Sequence, residues 1–111
     1  YDPVTDSWTP MSNDGAPSAR QLAYATWTGK YMIIWGGSAP IAGKNLNDGA
    51  IFDPAANKWI KKMTMAGAPS IRSSSTTAYQ LWNGSGMFLW SGYNEAFSPL
   101  NDAFMYTPPC N

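Results

Sequence analysis

Side chains able to carry chemistry are few in this chain. Its 111 residues include 7 Asp or Glu, 7 Lys or Arg, one Cys and no His. Without histidine there is no imidazole base for a nucleophile triad, no His-ligated zinc or copper and no histidine pH switch. The single Cys110 excludes an internal disulfide and a cysteine-cluster metal site; it is either a free thiol or pairs with something outside the chain. The acids are Asp2, Asp6, Asp14, Asp48, Asp53, Glu95 and Asp102. Asp48 and Asp102 recur at matching places, as do Asp2 and Asp53, and a carboxylate that recurs reads as a turn former or cap rather than a catalyst. Arg20 and Arg72 recur too. They are expected to hydrogen-bond strand-end carbonyls or neighbouring carboxylates, although arginines also line ligand channels. No catalytic residue, metal site or cofactor is expected.

These matches belong to an internal repeat of about 50 residues. Tyr1-Asp2-Pro3 and the spaced Trp8 return as Phe52-Asp53-Pro54 and Trp59. Gly15-Ala16-Pro17-Ser18-Ala19-Arg20 returns as Gly67-Ala68-Pro69-Ser70-Ile71-Arg72. Trp27 and then Met32-Ile33-Ile34-Trp35-Gly36-Gly37 return as Trp82 and then Met87-Phe88-Leu89-Trp90-Ser91-Gly92. Asn47-Asp48-Gly49-Ala50-Ile51-Phe52 returns as Asn101-Asp102-Ala103-Phe104-Met105-Tyr106. Four blocks recur in one order, and their spacing drifts only between blocks, where loops absorb insertions cheaply.

The blocks read as strands and turns. Gln21 to Trp27 and Ser74 to Trp82 are Thr-, Ala- and aromatic-rich strands, and Gly-containing turns join each as a hairpin to Met32–Trp35 or Met87–Trp90. Those second strands are apolar on both faces, as a strand covered on both sides should be. Asp48–Phe52 and Asp102–Tyr106 are third strands. Lys58 to Lys62 is a fourth, whose lysines suit an exposed edge. No segment has a sustained 3.6-residue period, so helix content should be close to nil. The repeat-equivalent tryptophans are expected to pack between sheets.

Four antiparallel strands recurring at this period resemble kelch repeats of the bacterial type, on Pro-Ser-Ala-Arg, Met-Ile-Ile-Trp-Gly-Gly, Asn-Asp-Gly-Ala, Phe-Asp-Pro and the spaced Trp. The resemblance implies an all-β fold of four-stranded propeller blades and covers nearly the whole chain. Residues 1–11 would be the last strand of a preceding or shared blade, 17–62 a complete blade and 69–111 a blade lacking its fourth strand. Ser91 departs from the pattern, standing where the first copy has Gly36. Two blades do not close a ring, which needs roughly 4–8. The chain is therefore expected to be a segment of a longer propeller, or else an oligomer whose copies lend the Trp8 strand to one another.

Function follows from what does not repeat. The loops Ser38–Asn45 and Tyr93–Pro99 differ between copies, and in kelch-like proteins such loops commonly form the binding surface. The resemblance thus implies Lys44, Tyr93, Asn94, Glu95 and Phe97 as contacts, with Arg20 and Arg72 as further candidates, for a protein or glycan ligand. Some kelch-like proteins are copper oxidases, which need histidine, or sugar epimerases, for which Glu95 and Arg72 stay open. The remaining partners expected are further blades of the same propeller or copies of the chain. A net charge of +0 argues against nucleic acid, and no run approaches the roughly 20 apolar residues of a membrane span. Only 13% of residues are charged while 14% are aromatic; with abundant Ser and Thr this fits an extracellular, periplasmic or cell-surface location, or a structural part of an extracellular assembly.

Overall fold

Short runs of β-branched and aromatic residues broken by turns fold into antiparallel meanders, and here they make one of four strands and one of three. The structure, a computed structural model, describes residues 1–40, 44–63, 65–74 and 80–108. Cys110, the middle of the Ser38–Asn45 loop and the centre of the expected Ser74–Trp82 strand lie outside the described residues. The strands are β1 (Tyr24–Trp27), β2 (Met32–Trp35), β3 (Gly49–Asp53), β4 (Lys58–Lys62), β5 (Gln80–Trp82), β6 (Met87–Trp90) and β7 (Ala103–Tyr106). They form a four-stranded sheet β1-β2-β3-β4 and a three-stranded sheet β5-β6-β7, antiparallel throughout. The protein is all-β. No helix among the described residues is long and apolar enough to cross a membrane.

β1 begins at Tyr24, three residues later than the apolar pattern predicts. Leu22 takes a left-handed backbone (φ 54°) and interrupts the extended run, while Gln21 instead makes an isolated bridge to Ser38. β4 lies at the sheet edge with its three lysines exposed, as anticipated. A bulge between Ile51 and Phe52 shifts its register against β3.

The repeat is reproduced in geometry as well as in sequence. Asp2 and Asp53 each accept a backbone N–H two residues on, at 2.8 and 2.9 Å, in turns whose left-handed residues are Asp6 (φ 50°) and Asn57 (φ 49°). Each turn also seats an aromatic pair, Tyr1–Trp8 and Phe52–Trp59, with centroids 5.1 Å apart. Residues 1–11 nevertheless join neither sheet. They lie against the first one, where Asn57 accepts from the Ser12 N–H and donates to the Pro10 carbonyl, and the Trp59 indole donates to the Ser12 carbonyl.

One core joins the two sheets. Tyr24, Ile33, Trp35 and Ile51 of the first sheet pack with Met63 against Met87 and Leu89 of the second. Burying side chains of this size is worth roughly 1.5–3 kcal/mol each. β1 is the strand that approaches the second sheet, at β5. The six tryptophans do not share this core equally: Trp35 is buried, Trp59 and Trp82 are half-buried, and Trp8, Trp27 and Trp90 are exposed. The reason is one-sided covering, since each sheet meets the other through only one of its two apolar faces.

Gly92 shows how closely the sheets approach. Its φ is +113°, and a Cβ there would run into the Tyr24 hydroxyl and the Ser73 carbonyl. Gly84, at φ +98°, faces open space. Gly84→Ala should therefore cost about 1 kcal/mol, the backbone penalty alone. Gly92→Ala should cost at least about 3 kcal/mol, because backbone must also move. Urea denaturation of the two variants side by side checks the difference.

Candidate functional site

The two arginines that recur in sequence sit in one arrangement, twice. Arg72 donates from Nε to the Ser70 carbonyl (3.1 Å) and from Nη2 to Ser70 Oγ (3.0 Å). It grips Asp102 bidentately, Nη1–Oδ1 at 2.6 Å and Nη2–Oδ2 at 2.9 Å, and its remaining N–H reaches the Ser91 carbonyl at 3.1 Å. Each of the five guanidinium N–H groups thus has an acceptor. The side chain is fully buried, with its guanidinium over the Phe104 ring. Arg20 repeats the pattern on Ser18, the Gly36 carbonyl and Asp48.

Arg20 and Arg72 thus take the structural role expected of them, bonding strand-end carbonyls and neighbouring carboxylates. Their donors are consumed in closing the chain where β2 and β6 end, so neither has an N–H to offer a ligand. The Glu95–Arg72 pair fares no better as acid–base chemistry, since Arg72 is sealed and paired to Asp102 while Glu95 is exposed.

The loop residues occupy one end of the molecule. β2 ends and β3 begins there, as β6 ends and β7 begins. The Asn45 side-chain amide, itself buried, donates to the Tyr93 carbonyl at 2.8 Å and ties the two loops together. Lys44, next in the chain, is exposed, as is Glu95; Tyr93 and Asn94 are half-buried. The Tyr93 backbone pairs both with Ser73 and with Pro99. Asn94 Oδ1 accepts from the N–H groups of Ala96 and Ser98, and its carbonyl accepts from Phe97. These bonds hold Phe97 left-handed (φ 55°) with its ring 84 % exposed. Phe97 therefore stands on a hydrogen-bonded turn with its side chain open to solvent.

Two features escape sequence reading. Leu22 is exposed and left-handed at this same end, where its carbonyl accepts from Ser74; nothing in Gln21-Leu22-Ala23 marks it. Ser91 keeps the turn that Gly36 makes, with φ of 63° against 65°. Its hydroxyl donates to the Leu100 carbonyl at 2.7 Å, which offsets the strain of a side chain there. No family model matches the chain, and no curated protein matches it.

Arg72 holds the Asp102 carboxyl below the usual carboxylate range, chiefly by its hydrogen bonds. A lowered folded-state value stabilises the fold above the ordinary carboxylate range, and that contribution disappears as pH falls through the folded value. Stability should therefore fall on acidification below about pH 4. Asp102→Asn should cost about 2–3 kcal/mol near neutral pH by leaving a buried cation unpaired. It should also flatten the acid slope, leaving the contribution of Asp2, which the Val4 N–H holds low. Denaturant melts at successive pH values measure both effects.

Proposed function

We propose that this chain is a non-catalytic segment of a kelch-like β-propeller that binds a protein or glycan through the loops between β2 and β3 and between β6 and β7. The observation that carries the reading is Phe97, exposed on a turn whose backbone N–H groups bond to the Asn94 side chain. A turn whose backbone is already ordered loses little entropy when the aromatic residue it displays is covered, which suits an interface anchor. Tyr93, Asn94 and Glu95 of the same loop add a phenol, an amide and a negative charge. Exposed Lys44, of the loop that Asn45 ties to it, adds a positive one; these are the polar groups such an anchor needs.

The propeller reading draws support from the meander order of the four strands, from two sheets of one repeat packed face to face, and from the paired Arg–Asp closures. We place the protein outside the cytoplasm, at the cell surface or in the periplasm, on its low charge and aromatic richness.

An oligosaccharide array and a peptide array, each probed with the labelled protein, provide the test. Ligands found there should bind Phe97→Ser, Tyr93→Ala about tenfold or more weakly, with an unchanged melting temperature. Undiminished binding by this double variant would remove the loop face from the proposal.

A further inference from the structure

Two sheets built from one repeat should cover the same positions, and these two do not. On the first sheet, Thr26, Ile33, Trp35 and Ile51 face the second and are 7, 0, 2 and 4 % exposed. Registers and repeat alignment give their counterparts as Leu81, Phe88, Trp90 and Met105, which are 65, 42, 53 and 57 % exposed. This is four large apolar side chains on one face of β5, β6 and β7 with none of the described residues covering them.

The reverse holds for the opposite faces. Met87 and Leu89 are buried against the first sheet. Their counterparts Met32 and Ile34 look outward from it, only half-buried. Met32, Trp27 and Phe52 floor an open groove of about 630 Å³, with Tyr1, Pro10 and Met11 along its rim. The chain therefore holds one completed junction and both halves of a second, at its two ends.

We propose that a second copy of this chain docks head to tail, laying its Trp27–Met32 face on the Leu81, Phe88, Trp90 and Met105 face and repeating the junction between the two sheets. The occupant follows from the internal junction, because the open face at either end has the residue pattern that the other open face already meets inside the chain. A net charge of +0 sets up no long-range repulsion between copies. Docked this way, Arg20 of the incoming copy stands to Gly92 and Leu100 as Arg72 stands to Gly37 and Leu46, which it bridges through backbone bonds. Residues 7–11 of that copy, the counterpart of β4, come beside β7, whose outer edge pairs with no other strand among the described residues. The contact is heterologous, so repetition builds a ring or an open stack rather than a two-fold dimer. This assembly does not depend on what the loop face binds.

Sedimentation equilibrium over a wide concentration range tests it. The mass of the unmodified chain should rise above 12.1 kDa with concentration. Trp90→Lys and Trp27→Asp, both at exposed positions, should each be monomeric alone and folded by circular dichroism. Mixed in equal amounts they should form a one-to-one heterodimer that grows no further, since each retains the face that the other lacks. Leu81→Glu is a second block of the same face should Trp90→Lys fail to fold, and Phe97→Ser should associate like the parent. An unmodified chain that stays at 12.1 kDa at every concentration, a blocked variant that still self-associates, or a mixture that stays monomeric would overturn the proposal.

Discussion

A guanidinium with no access to water must find an acceptor for every N–H it carries, and at Arg72 that requirement fixes three separate pieces of chain. Ser70 precedes it, Ser91 follows β6 and Asp102 precedes β7. The Ser91 carbonyl accepts from Arg72 and also from the Tyr24 hydroxyl of the first sheet, at 3.1 and 3.0 Å. The closure of the second sheet and the junction between sheets therefore share one oxygen atom. Moving Ser91 would disturb both, which accounts for the left-handed backbone being kept there by a residue other than glycine.

Much of this fold is legible from residue types. The apolar runs Met32–Trp35 and Met87–Trp90 and the lysines of β4 mark strands and an edge, because period-2 burial and edge protection leave direct compositional traces. The start of β1 is not legible, since only backbone geometry at Leu22 stops the extended run. Which face of β2 or β6 is covered is hidden for a different reason. A strand apolar on both faces gives no contrast, so Trp35 and Trp90 look alike in sequence and differ completely in burial.

The candidate site divides in the same way. Divergence between copies picks out the Tyr93–Pro99 loop, while the exposure of Phe97 comes from Asn94 folding the turn back on itself, a local competition between side chain and backbone. Recurrence and positive charge do not reveal that the donors of Arg72 are saturated; only the positions of Ser70, Ser91 and Asp102 do. Asn45 joins the two loops through an amide that sequence shows merely as one more polar loop residue.

The two outer strands also differ in how they treat unwanted neighbours. β4 carries Lys58, Lys61 and Lys62 along its free edge, so a foreign strand zipping on there must crowd cations together. β7, with Ala103, Phe104, Met105 and Tyr106, carries no charge at all. Irreversible β-aggregation of this polypeptide, in a refolding vessel or during synthesis, thus has a preferred point of entry at the last strand, and a single lysine at the exposed Met105 would place there the gatekeeper that β4 already has.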